Sequence, residues 1–196
     1  MLSPYILTIR SGVNQPSPVG NRVKDTRGVP KSIEKPFVAI LMGSDSDLPV
    51  MEASFEILRK FEIPFEVKVT SAHRTPEATH NFVTDADDRG CAAFICAAGM
   101  AAHLAGAVAA HSTRPVIGIP IESGGMGGMD SLLSTAMMPP GVPVATVAVG
   151  KAGAKNSAIL AVQILATSDS ELLQKLHDYK NNMREEVLKK DKALNS

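Results

Sequence analysis

Ser71-Ala72-His73-Arg74-Thr75-Pro76 places an imidazole beside a guanidinium. A histidine can give and take a proton near neutral pH, and an arginine's rigid fork of N–H donors matches a phosphate or a carboxylate. Two other stretches complement this pair. In Gly43-Ser44-Asp45-Ser46-Asp47 the glycine lets backbone approach an anion, Ser44 and Ser46 offer hydroxyls, and Asp47 suits ribose hydroxyls. Gly99-Met100-Ala101-Ala102-His103-Leu104 carries a second imidazole behind small residues. The chemistry these three stretches suggest is proton transfer on a phosphorylated small molecule. Each has a plainer reading. Ser46 and Asp47 cap a helix, His73 bonds only its own loop, His103 caps local backbone, and Arg74 pairs with a surface carboxylate. His80, His111 and His177 fall in helical patterns and read as structural or solvated, and Met126, Met129, Met137 and Met138 as packing. There is no Walker ending, no nucleophile elbow and no metal-ligand spacing.

The elements that must position these residues are readable from periodicity. Phe37-Val38-Ala39-Ile40-Leu41-Met42 is a continuous apolar run, as expected of a parallel strand buried on both faces. A helix follows from about Pro49, with Met51, Phe55, Leu58 and Phe61 on one stripe, and Pro64 ends it. Phe65 to Val69 is the second strand, and the His73 turn comes directly after it. Thr75 is placed to cap the next helix, Pro76 to occupy its first position, and Gly90 to close it in a left-handed conformation.

A third strand spans Ala92 to Cys96, then a helix runs from the His103 turn to about Ser112, and a fourth strand covers Val116 to Ile119. Four glycines between Glu122 and Asp130 predict a mobile loop. Val144 to Val149 reads as a fifth strand and Asn156 to Ala166 as a helix. Ser168 and Glu171 have capping-box spacing for a last helix with Leu172, Leu176, Tyr179, Met183 and Val187 on one face. This alternation predicts an α/β fold, a three-layer αβα sandwich around a flavodoxin-like parallel sheet, with an extended C-terminal helix. All three chemistry-bearing stretches then sit at carboxyl ends of strands, where ligands bind in open α/β sheets.

Composition narrows the partner. The 196 residues carry 20 Lys+Arg against 20 Asp+Glu, and 4% are aromatic, which leaves no basic footprint and few stacking platforms for nucleic acid. No run is long and apolar enough for a membrane span, so a soluble protein with a small-molecule partner is expected. Cys91 and Cys96 flank an apolar run and read as reduced core thiols. Residues 1–35 hold Pro16, Pro18, Pro30 and several glycines without a sustained period, and are expected to be a flexible extension. The α/β catalytic domain is expected over 36–167 and the C-terminal helix over 168–196.

Five stretches together carry a family resemblance: Met42-Gly43-Ser44-Asp45-Ser46-Asp47, Ser71-Ala72-His73-Arg74-Thr75-Pro76, Gly99-Met100-Ala101-Ala102-His103-Leu104, Asp130-Ser131-Leu132-Leu133-Ser134 and Met138-Pro139-Pro140-Gly141-Val142-Pro143-Val144. In this order they resemble the PurE family of 5-(carboxyamino)imidazole ribonucleotide mutases. The likeness extends from about Phe37 to Lys190. It implies an isomerase of purine biosynthesis that moves a carboxyl group from an exocyclic amine to a ring carbon without ATP, biotin or metal. By position, Ser44, Asp47 and Arg74 match nucleotide-binding residues, with Ser46, Ser71 and Gly99 beside them. His73 matches the proton-transferring histidine and His103 a second site histidine. The resemblance also implies a cytoplasmic homo-octamer. A direct carboxylase of aminoimidazole ribonucleotide and a non-catalytic flavodoxin-like module binding FMN or another phosphate ligand are the alternative readings.

Overall fold

The computed structural model describes residues 36–195. The extension expected over 1–35 lies outside the described residues. Five strands, β1 (Phe37–Met42), β2 (Phe65–Val69), β3 (Cys91–Gly99), β4 (Val116–Ile121) and β5 (Ala145–Thr146), form one sheet in the order β2-β1-β3-β4-β5, every pair parallel. The helices are α1 (Leu48–Lys60), α2 (Pro76–Asp88), α3 (Leu104–His111), α4 (Met129–Ala136), α5 (Gly150–Ala166) and α6 (Ser170–Leu194). This is the expected flavodoxin-like α/β sandwich.

The apolar run of β1 explains the layering. Alternate side chains of a strand point to opposite faces. Val38, Ile40 and Met42 pack with Met51, Phe55 and Leu58 of α1 and with Ala154, Ala158 and Val162 of α5, while Ala39 and Leu41 join Val83 of α2 and Val108 of α3. Both faces of β1 are thereby closed to water, and all six of its residues are buried. Cys91 and Cys96 are buried free thiols; burial pushes Cys91 up to about 11 and raises Cys96 as well, so both stay protonated.

Four expectations need correction. The fifth strand is two residues long rather than Val144 to Val149: Pro139, Pro140 and Pro143 have no N–H to donate just before it, and Gly150 turns the chain at φ +69°. The segment expected as a loop to Asp130 ends in helix, because Gly127 and Gly128 adopt left-handed φ of +60° and +79° and α4 starts at Met129. There Ser131 Oγ donates to Gly128 O at 2.9 Å and fixes the helix entry. Helix α5 begins at Gly150, not Asn156; a Cβ on Gly153 would stand 1.6 Å from Ala148 O, so glycine lets this turn pack on the preceding chain. The cap of α6 is Asp169 rather than Ser168. Asp169 Oδ1 accepts from the N–H groups of Glu171 and Leu172, each at 3.0 Å, while Ser168 donates its own N–H to Leu165 O.

On α6 only the first half meets the core: Leu172, Leu176 and Tyr179 pack against it, whereas Met183, Val187 and Leu188 are exposed. Among the described residues no helix is long and apolar enough to cross a membrane.

Candidate active site

Strand order decides where the three turns meet. Because β1 lies between β2 and β3, the turns that leave these strands are neighbours, with the Gly43 turn in the middle. Two backbone bonds hold them together: Thr70 N–H donates to Met42 O at 2.9 Å, and Gly43 N–H to Ala97 O at 2.9 Å.

His73 stands on the β2 side and His103 on the β3 side, so neither is adjacent to the other through the sheet. Their rings nonetheless meet across the end of β1. His73 Nε2 lies 2.8 Å from His103 Nδ1, with ring centroids 5.0 Å apart and planes inclined by 75°. At that distance one nitrogen donates and the other accepts, so a single proton lies between the facing atoms. The plainer readings of both histidines therefore fail: His73 bonds beyond its loop, and His103, at the N-cap position of α3, makes no cap bond with its side chain.

Local hydroxyls shape the His73 turn. Thr75 occupies the N-cap position of α2, but its side chain bonds no amide of the helix's first turn. Instead its Oγ1 accepts the Ser71 N–H at 2.9 Å and meets Thr70 Oγ1 at 3.0 Å, which in turn meets Thr79 Oγ1 at 2.8 Å. Ser71 Oγ accepts the Arg74 N–H at 3.2 Å. These bonds wind the chain tightly and leave both the His73 and Arg74 side chains exposed. Among the described residues, no carboxylate pairs with the Arg74 guanidinium, contrary to its plainer reading. A free guanidinium beside a helix start is suited to an anionic ligand.

The Gly43 turn is a short 3-10 segment, Asp45–Asp47, capped by Ser44. Ser44 Oγ accepts from the Ser46 N–H at 3.2 Å and from Ser46 Oγ at 2.8 Å. Neither Ser46 nor Asp47 caps α1 with its side chain, which removes their plainer reading too. Asp47 is buried, and that burial pushes its carboxyl above the usual carboxylate range against the opposing pull of the Ser44 backbone and the Ser46 hydroxyl. A carboxylate held in this way gains from a ligand hydroxyl that donates to it.

The Gly99 turn shows a close approach that spacing could not reveal. A Cβ on Gly99 would fall 1.7 Å from Ser123 Oγ, so the start of the glycine-rich loop lies directly against it. Met100 takes φ +55°, unusual for a non-glycine residue, and exposes its side chain. Asp130, in the first turn of α4, brings its Oδ2 within 3.6 Å of the Cβ position of Gly124, and its Oδ1 is buried without a hydrogen-bond partner among the described residues. Ser123 lies against Gly99, Asp130 beside Gly124, and Ser134 places its Oγ 3.0 Å from the Ala102 N–H, three neighbours of these turns that spacing alone does not assign. The Asp130-Ser131-Leu132-Leu133-Ser134 motif was the signal pointing to α4. The structure thus brings together His73 and His103 directly, and Ser44, Ser46, Asp47, Ser71, Arg74 and Gly99 on the three adjoining turns. Among the described residues, no three His, Cys, Asp or Glu side chains converge as a metal site would require. His80 and His111 meet edge to face, centroids 4.4 Å apart and planes inclined by 62°, as a separate pair on α2 and α3. A cleft of about 250 Å³ between α5 and α6, which includes His177, shares no residue with the turns.

The family model for AIR carboxylase matches residues 37–186. The chain belongs to the AIR carboxylase family. It is 48% identical over 161 residues to the N5-carboxyaminoimidazole ribonucleotide mutase of Pyrococcus horikoshii, covering 82% of this chain and 90% of that protein. With the mutase of Escherichia coli K12 it shares 48% over 151 residues, or 77% of this chain and 89% of the relative. The phosphoribosylaminoimidazole carboxylase of Candida albicans is 47% identical over 174 residues, which make up 87% of this chain but 30% of the fungal protein. The crystal structure of Treponema denticola PurE superposes with a TM-score of 0.75 at 29% identity, covering 83% of this chain and all of the other. Membership of the AIR carboxylase family agrees with the parallel α/β fold.

Proposed function

We propose that this chain is the isomerase that converts 5-(carboxyamino)imidazole ribonucleotide into 4-carboxy-5-aminoimidazole ribonucleotide in purine biosynthesis. The observation that carries the reading is the 2.8 Å contact between His73 and His103 at the strand ends of an AIR carboxylase family chain. In the reaction the C–N bond of the carbamate breaks, its electrons remain on nitrogen, and His73 supplies the proton that this nitrogen needs. Carbon dioxide is released into the site. The ring carbon then attacks it, a C–C bond forms, and His73 takes the proton from the resulting tetrahedral carbon, restoring aromaticity. One proton leaves the histidine and one returns, so no cofactor is consumed.

His103 hydrogen-bonds His73 and holds its ring in place. Arg74, Ser44, Ser46 and Ser71 bind the ribose phosphate, and Asp47 accepts from ribose hydroxyls. Phosphate binding far from the reacting atoms positions the imidazole ring and keeps the released carbon dioxide within reach of the ring carbon. The glycine-rich loop against Gly99 covers this region. Assembly as a cytoplasmic homo-octamer belongs to the same proposal. The exposed apolar side chains Met129, Leu133 and Met137 near α4, and Met183, Val187 and Leu188 on α6, support it, because a monomer rarely leaves such stripes in water.

The fungal relatives named as carboxylases favour one second reading, direct carboxylation of aminoimidazole ribonucleotide. Feeding each substrate with and without added bicarbonate separates the two. Turnover of the carbamate alone supports the mutase; turnover of only the decarboxylated amine, dependent on bicarbonate, supports the carboxylase.

A further inference from the structure

The turn that carries His103 has an unusual backbone. Ala102 N–H donates to Met100 O at 2.9 Å and His103 N–H to Ala101 O at 2.8 Å, two successive contacts between residues only two apart. Together with φ +55° at Met100, this makes 100–103 a tight, strained run that local bonds alone hold weakly. A second element supports it. Ser134, on α4, places its Oγ 3.0 Å from the Ala102 N–H, which donates to it. A hydroxyl has one proton, and the nearest acceptor for that of Ser134 is Asp130 O at 2.7 Å, one helical turn back; Met100 O is farther, at 3.2 Å. With its proton directed along α4, the Ser134 oxygen presents a lone pair to the turn.

We infer that Ser134 is a positioning residue for the proton-transfer pair: α4 fixes the 100–103 backbone through Ser134, and that backbone aims His103 at His73. The inference rests on the proposed function for its catalytic consequence but not for its geometry. Ser134 touches neither imidazole. Its effect passes through Ala102, which is buried and immediately precedes His103. Ser131 provides an internal comparison, because its Oγ also bonds backbone within this segment, to Gly128 O at 2.9 Å, and has no bond to the His103 turn.

The test uses the full chain with Ser134→Ala, Ser134→Thr and Ser131→Ala. Conversion of the carbamate substrate, thermal midpoint and the NMR signals of the His103 ring are compared with wild type. Ser134→Ala is expected to lower kcat about tenfold, ~1.4 kcal/mol of barrier, with KM changed by less than about twofold. Ser134→Thr keeps the hydroxyl and recovers most of the loss. Ser131→Ala lowers the thermal midpoint comparably, yet leaves kcat within about twofold and the His103 signals in place. Unchanged kcat in Ser134→Ala, or an equal loss of kcat in Ser131→Ala, would overturn the inference. If wild type fails to convert the carbamate, the functional reading falls, and the ring signals still decide: His103 signals that move in Ser134→Ala but not in Ser131→Ala support positioning, and signals unmoved in both refute it.

Discussion

Gly99→Ala tests whether the glycine-rich loop is seated on the site by shape. Gly99 closes β3 in register with Ile121, and a methyl group there would stand 1.7 Å from Ser123 Oγ, 2.8 Å from Ser123 Cβ and 3.1 Å from Ile121 O. Ser123 is exposed, so rotating its hydroxyl away costs little. The Cβ cannot rotate away, and restoring an ordinary carbon–carbon contact of roughly 3.5 Å requires the loop backbone to retreat by roughly 0.7 Å. Overpacking of this kind costs ~1–3 kcal/mol. The same retreat lifts the loop from the turn that leads to His103, and displacements near 1 Å can cost on the order of 100-fold in rate. We therefore expect Gly99→Ala to lose ~1–3 kcal/mol in urea denaturation and at least about tenfold in kcat/KM. Ser123→Gly removes both close atoms and leaves only Ile121 O. The double variant should thus recover ~1 kcal/mol or more of the expected sum, since contacting residues couple by about 0.5–3 kcal/mol. Additive losses, or a neutral Gly99→Ala, would refute the seating of the loop on Gly99.

Other substitutions test separate parts of the account. Arg74→Ala should raise KM about 10- to 100-fold in steady-state assays, the loss of one charge-assisted hydrogen bond set, and leave stability within about 0.5 kcal/mol because the side chain is exposed and unpaired among the described residues. Asp169→Ala should cost ~1 kcal/mol in denaturation through loss of the α6 cap, whereas Ser168→Ala should stay within about 0.5 kcal/mol. For Asp47 the native carboxyl holds its proton to higher pH than the unfolded chain does. Wild-type stability therefore falls as pH rises from the ordinary carboxylate range through the raised native value, and Asp47→Asn, neutral throughout, should gain on wild type across that window in denaturation series while its KM worsens. A constant difference between the two proteins at all pH values would show that burial of the charge has no such effect.

Much of the fold was legible because the signals were local. The unbroken run Phe37 to Met42 could only be a strand covered on both faces, and Pro76 and Gly90 marked the ends of α2, with Gly90 at φ +90°. The errors came where backbone geometry outweighed composition. Four glycines disguised the start of α4, although two of them supply the left-handed turn that makes the helix entry possible. Two adjacent acceptors, Ser168 and Asp169, competed for one cap, and periodicity gave no means of choosing between them. In the site the residue types were legible and the contact was not. His73 and His103 are 30 residues apart, and their meeting depends on β1 lying between β2 and β3. The support from Ser134 was hidden for the same reason, since it acts across the fold on a backbone amide.

Conversion of 5-(carboxyamino)imidazole ribonucleotide by wild type and His73→Asn, without ATP or added bicarbonate and with binding measured alongside, tests the central claim most directly. The account predicts that wild type forms the ring-carboxylated product and that His73→Asn binds the substrate but loses at least about 100-fold in kcat. Equal rates in the two proteins, or no conversion by wild type, would contradict it.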